Sequence, residues 1–251
     1  MILTDQERQF QKGVRFMENV IITGATGGLG CFMVDEFLRD GCNVFALDIK
    51  PEKDSSGHED RTKGTYHFFR TDIGSDESVK DTMNEIGKMV DSIDLLVNCC
   101  GILPPNSANV LEDFDIDSSI DVYNINCLGP LRAAKFALPL LKKGDGKIIA
   151  DISSEAGSLT THADYTFRYD YCASKCALNI QSIILQRYLK DEGFKVLLFH
   201  PGWMRTQMGG AEAPILPCES AKQLHLRIRE QQKNDAYEIC LMDYDGKIRA
   251  W

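Results

Sequence analysis

A short apolar run that empties into a glycine-rich loop, and then into an amphipathic segment, sets the strongest limit on what this chain can fold into. Asn19-Val-Ile-Ile-Thr23 is branched and apolar without polar alternation, the pattern of a strand covered on both faces. Gly24-Ala-Thr-Gly-Gly-Leu-Gly30 follows at once. Phe32, Met33, Val34, Phe37 and Leu38 then mark one face of a helix that stops at Gly41. The alternation continues down the chain. Strands are predicted at Asn43–Leu47, Tyr66–Arg70, Asp94–Val97, Lys147–Ile152 and Lys195–Phe199, with a last short one at Tyr237–Leu241. Helices are predicted after the N-cap-like Ser75, from about Asp117 to Lys142, from Asp170 to Glu192, and from Glu219 to Asn234. Lys50–Lys63 and Gly202–Pro217 read as loops. The order implies an α/β protein whose parallel sheet carries helices on both faces.

A length of 251 residues is near the upper limit for one hydrophobic core, so residues 18–251 are expected to form a single domain behind an extension at residues 1–17. The net charge is -9 and no stretch is densely basic, which argues against nucleic acid and anionic membrane surfaces as partners. No run approaches the roughly 18 apolar residues of a membrane helix. The N-terminus lacks the apolar core of a signal peptide, so a cytoplasmic location is expected. The nine cysteines are odd in number and scattered, without paired CxxC spacing. They are expected to be reduced thiols, and no metal site is expected.

Glycines between a buried strand and a helix let the backbone turn tightly and approach a pyrophosphate at the positive end of the helix dipole. Thr23, Gly24, Gly28, Leu29 and Gly30 are therefore candidate dinucleotide contacts. Asp48 ends the second strand, eighteen residues beyond Gly30. A carboxylate there can accept both hydroxyls of an adenosine ribose and would repel a 2'-phosphate, which favours NAD (as NADH) over NADP. Lys50 blurs the choice, since a cation could receive that phosphate.

Tyr171-Cys-Ala-Ser-Lys175 puts a phenol and an ammonium on one face of the second long helix. A nearby ammonium favours the phenolate, so the pair could exchange a proton with an alcohol or carbonyl oxygen. Ser153 and Ser154 end the preceding strand, at the edge where such sheets bind ligands, and Ser154 is the favoured partner of the substrate oxygen.

Together with Asp72, Asn98-x-x-Gly101, Asn126 and Pro201-Gly202, these residues make the chain resemble the short-chain dehydrogenases/reductases over nearly its whole length. That resemblance implies a single-domain Rossmann fold with a doubly wound parallel sheet of about seven strands. It implies Tyr171 as general acid/base, Lys175 on the nicotinamide ribose, Ser154 on the carbonyl, and Asn126 anchoring a relay water. It also implies cofactor contacts at Asp72, Ile73, Asn98, Gly101, Pro201, Gly202, Met204 and Thr206, and a homodimer or homotetramer. Leu198–Gly210 and Asp243–Trp251 are similar to the C-factor/Sniffer type of carbonyl reductase, and the strand-two acid with the N-terminal extension to bacterial 20β-hydroxysteroid dehydrogenases. The family's usual Asn-Asn-Ala-Gly is here Asn98-Cys-Cys-Gly101, which puts the second asparagine's contact in doubt. Tyr171 lies seventeen positions after Ser154, more than is usual, and Ser158–Arg168 is expected to loop over the site.

The expected reaction is reversible hydride transfer between nicotinamide and a ketone or secondary alcohol, of which a hydroxysteroid is one candidate. Phe167, Tyr169, Trp203, Met204 and Met208 are expected to line a bulky, apolar substrate pocket. The alternatives are NADPH-dependent carbonyl reduction and a nucleotide-binding signalling protein, which would need the glycines and Asp48 but no proton donor.

Overall fold

The computed structural model describes residues 19–51, 63–161 and 165–251. The extension at 1–17 lies outside the described residues, as does the middle of the Ser158–Arg168 segment. Eight strands form one sheet in the order β3-β2-β1-β4-β5-β6-β7-β8. They are β1 (Asn19–Thr23), β2 (Asn43–Asp48), β3 (Thr65–Arg70), β4 (Leu95–Asn98), β5 (Ile148–Ile152), β6 (Lys195–His200), β7 (Leu241–Asp243) and β8 (Ile248–Arg249). All neighbours are parallel except β7 and β8.

Side chains alternate across the sheet, as the period of two requires. Val20 and Ile22 face α1 (Gly30–Arg39) and α6 (Pro217–Gln232), and pack with Met33, Phe37, Leu38, Leu224 and Ile228. Ile21 points the other way, toward α2 (Asp76–Met89) and α4 (Gly129–Leu141), into a layer with Val79, Ile86, Ala133 and Ala137. Strands buried on both faces need apolar residues at consecutive positions, and residues 20–22, 95–97 and 148–150 supply them in β1, β4 and β5. Ser75 caps α2 by accepting the Ser78 amide, and Asp76 and Glu77 sit in the first turn.

Two expectations need correction, and the sheet of about seven strands gains a short eighth. The predicted helix over 117–142 is α3 (Ser119–Tyr123) and α4 separated by a wide π turn at Asn124–Leu128. The strand expected at Tyr237–Leu241 is β7, at Leu241–Asp243: the Tyr237 hydroxyl reaches the Val196 carbonyl at 2.7 Å, and pairing with β6 begins only at Leu241. The eighth strand, β8, turns back through Gly246, whose φ of +92° suits glycine. Within the 203–217 loop a single bridge joins Met204 to Ile215.

Candidate active site

The carboxyl ends of β1, β4, β5 and β6 converge on one edge, and the chemistry-bearing residues gather there. At the end of β1, Gly24 has φ +67°, and a Cβ on it would lie 2.8 Å from the Cys100 Cα. A Cβ on Gly30 would lie 2.1 Å from the Gly24 carbonyl oxygen. These two contacts make the loop a glycine structure by necessity. Thr23 Oγ1 accepts the Cys99 and Cys100 amides at 3.2 and 3.3 Å, so β1 itself holds the turn after β4. The turn survives without the usual second asparagine for that reason. Burial pushes the Cys99 thiol up to about 12 and the Cys100 thiol up to about 11.

Tyr171 and Lys175 lie on α5 (Tyr169–Leu189). The first turn of α5 is fixed by Asp170, whose carboxylate accepts the Tyr171 amide at 2.7 Å and the Ser107 hydroxyl at 2.8 Å. Ser154 caps a short 3-10 turn at Glu155–Gly157, and its hydroxyl lowers the pKa of the Tyr171 phenol beside it. Ser153 instead donates to Asn179 Oδ1 at 2.5 Å in the interior. Ser154 is thus the serine that meets the phenol.

Lys175 departs from the expected arrangement. Its Nζ donates to the Ile152 carbonyl at 2.9 Å and stands 5.9 Å from the centre of the Tyr171 ring. The phenol lies above its ordinary pKa because burial outweighs the lowering by Ser154 and Arg168. Loss of water lowers the Lys175 ammonium to about 8 against 10.5 when exposed. Between those values the unfolded chain binds the extra proton, so this residue's contribution to stability rises with pH and is lost as pH falls toward 8. Urea midpoints of wild type and Lys175→Met from pH 7.5 to 10 are expected to diverge, the wild type gaining on the order of 2 kcal/mol relative to the variant. Parallel curves would show that the lysine keeps its proton.

Asn126 sits in the π turn, fully buried. Its Oδ1 accepts the Ile102 amide at 2.7 Å, and its Nδ2 donates to the Ile102 carbonyl at 2.9 Å and to Ser174 Oγ at 3.2 Å. A Cβ on Gly101 would lie 3.5 Å from Asn126 Oδ1 and 3.6 Å from Lys175 Nζ, so Gly101, Asn126 and Lys175 form one cluster. π turns are frequent at functional sites because they displace one residue from the helical ladder.

A cavity of about 380 Å³ opens beside Tyr171 and Ser154. Phe167, Trp203, Met204 and Met208 line it, as do Leu103 and Tyr165, which the sequence reading missed. Tyr169 does not. It turns away and packs edge-on against Phe114, with ring centres 5.5 Å apart.

The family described as short chain dehydrogenase matches residues 18–214. The chain belongs to that family. C-signal of Myxococcus xanthus is 35% identical over 159 residues, which cover 63% of this chain and 93% of that protein. The carbonyl reductase Sniffer of D. melanogaster has a similar structure, with TM-score 0.81 and 25% identity over 94% of this chain and all of that one. An NADPH-bound carbonyl reductase from chicken fatty liver has the same fold, with TM-score 0.81 and 24% identity over 94% and 100% of the two chains. The protein is therefore an oxidoreductase of the short-chain dehydrogenase family, which works with NAD(P)(H).

The residues present fit such a dinucleotide. The glycine loop admits close approach, no side chain caps the start of α1, and the loop hydroxyl Thr26 Oγ1 is buried without a partner. Thr206 packs over Gly28, where a Cβ would lie 2.6 Å from its methyl group, so the 203–217 loop rests on the glycine loop. Asp48 accepts the Thr26 amide at 2.9 Å and the Lys50 amide at 3.0 Å. Asp72 accepts the Gly74 amide at 2.8 Å beyond β3.

Other family positions face inward. Asn98 donates to Asp151 Oδ1 at 2.8 Å, inside the sheet, rather than toward the crevice. The Ile73 side chain is in the core and Leu29 packs beneath α1. The Pro201 carbonyl accepts the Ser220 hydroxyl at 2.7 Å, and Gly202 has φ +82°. Arg70, directly opposite Asp48 in the β2–β3 register, escaped the sequence reading because only strand pairing brings it there.

Proposed function

We propose that the protein is an NAD(H)-dependent carbonyl reductase that acts reversibly on ketones and secondary alcohols with a bulky apolar body. The observation that carries this is the Tyr171 phenol, next to Ser154, at the wall of a largely apolar cavity beside the glycine loop. A nicotinamide dinucleotide bound at that loop supplies or accepts the hydride. Thr23, Gly24, Gly28, Gly30, Asp48, Asp72, Gly101 and Thr206 are the residues that would hold it. Ser154 Oγ orients the substrate oxygen by a hydrogen bond. Tyr171 gives that oxygen its phenolic proton as the alcohol forms, and takes a proton back in the reverse direction. Asn126, Lys175 and Gly101 hold the inner end of the site.

Asp48 supports NADH, because its carboxylate, fixed by two backbone amides, would face a 2'-phosphate with like charge. A second reading, NADPH, is favoured by Arg70 opposite Asp48 and by the nearby Lys50. The test is absorbance at 340 nm with each reduced nucleotide and a panel of small, aromatic and 20-keto steroid carbonyl compounds. Wild type is expected to prefer NADH by about tenfold or more, and Asp48→Ser to narrow that ratio. A preference for NADPH that Arg70→Ser abolishes would establish the second reading. Tight nucleotide binding with no turnover of any carbonyl compound would point to a signalling protein. The exposed apolar residues Ile180, Ile184 and Tyr188 on α5 support self-association as a homodimer or homotetramer, which light scattering would read as a multiple of 28.2 kDa.

A further inference from the structure

Two side chains of fixed charge line the cavity, Glu155 and Arg168. Glu155 is matched: Arg249 Nη1 lies 3.0 Å from its Oε2, and His200 Nε2 lies 3.6 Å away. Arg168 has no such match among the described residues. Its guanidinium lies against two rings, 5.6 Å from the centre of Tyr165 and 5.3 Å from that of Phe167. Those rings are themselves stacked at 5.9 Å. Rings hold a guanidinium by its face and leave the edge N–H donors available.

The backbone presents this side chain at a cost. Arg168 is one of only two non-glycine residues with positive φ among the described residues, at φ 67° and ψ 38°, immediately before α5. A left-handed residue that is neither glycine nor asparagine persists where its surroundings fix it, and such residues cluster at ligand sites. Three residues later comes Tyr171, and the Arg168 charge acts on its phenol. Apart from Ser153, Ser154, Tyr171, His200 and Thr206, the remaining walls are apolar or aromatic, so a substrate with an apolar body would meet one cation with open donors.

We propose that Arg168 is a specificity-determining anion anchor, and that the enzyme prefers carbonyl substrates carrying a carboxylate on an apolar or aromatic body. This rests on the reading of the cavity as a site of carbonyl reduction. The guanidinium fork matches a carboxylate with two parallel hydrogen bonds, and the apolar surroundings strengthen the pair.

The test compares 4-acetylbenzoate and 4-benzoylbenzoate with their methyl esters, using the preferred reduced nucleotide at about 50 and 300 mM salt. In wild type the carboxylates are expected to exceed the esters in kcat/KM by about tenfold or more, mostly through KM, with the ratio shrinking at high salt. The ratio is expected to fall to about one in Arg168→Gln and Arg168→Asn, the latter chosen because asparagine tolerates the left-handed backbone. Arg168→Lys should recover part of it, which a packing role alone would not do. A ratio near or below one in wild type, or one unchanged in Arg168→Asn, overturns the proposal and leaves carbonyl reduction standing. If none of the four compounds turns over, equilibrium binding read by quenching of Trp203 decides separately. Carboxylate preference that Arg168→Asn removes upholds the anchor while carbonyl reduction fails, and equal binding of acid and ester overturns the anchor.

Discussion

Tyr171→Phe is expected to lower kcat by about 10²–10⁴-fold while leaving nucleotide affinity within a few-fold of wild type. The substitution removes one oxygen from a side chain whose ring stays where it was, so packing is conserved and only the proton is lost. Ser154 loses a phenol neighbour but keeps the Ala156 amide at 3.1 Å, so the turn after β5 holds its shape. A uniform loss in KM and kcat would indicate a disturbed pocket instead. Wild-type turnover by Tyr171→Phe would remove Tyr171 from the chemistry. Because burial holds this phenol high, reduction should not need the phenolate and should run well at neutral pH, whereas alcohol oxidation should rise toward alkaline pH.

Gly30→Ala should be nearly as damaging, and for a purely steric reason. The added methyl would meet the Gly24 carbonyl oxygen at 2.1 Å, and that atom is backbone in the same loop. Something in the loop must move, and what moves is the surface that approaches the pyrophosphate. Nucleotide Kd is expected to rise by about tenfold or more, with a loss of stability of about 1–3 kcal/mol. Gly193→Ala is the control. Its φ of +82° strains any other residue, yet nothing lies within 4 Å of the new carbon. It should cost about 1 kcal/mol and leave Kd unchanged. Equal nucleotide affinity in Gly30→Ala and wild type would mean that the loop does not carry the dinucleotide.

The glycine loop, the six long parallel strands and the Ser154–Tyr171–Lys175 set were legible in the sequence because each depends on local pattern. Glycines at a strand–helix junction and apolar runs of four to six residues carry their reason with them. What escaped depends on distance through space. Arg70 comes opposite Asp48 only through strand register, and Glu155 meets Arg249 only because β8 folds back. β8 itself has two residues, too few for any alternation to show, although Asp245-Gly246 before it was a turn signal. The orientation of Lys175 toward the Ile152 carbonyl is set by the floor beneath the helix, which four-residue spacing does not describe. The family resemblance makes Asn98 a cofactor contact, but its side-chain partner Asp151 lies alongside on β5.

The π turn at Asn124–Leu128 changes what chain length means in this region. A helix with one surplus residue is shifted by about 100° in phase beyond the surplus. α3 and α4 therefore cannot be read as one periodic pattern, and the buried stripe of Ala133, Ala134 and Ala137 is in register with the sheet only because of that slip. A relative one residue shorter between Ser119 and Leu141 would not have trimmed a loop. It would have rotated either the asparagine or the core face of α4 by more than a quarter turn, so a gap placed here in a comparison of sequences is a statement about geometry.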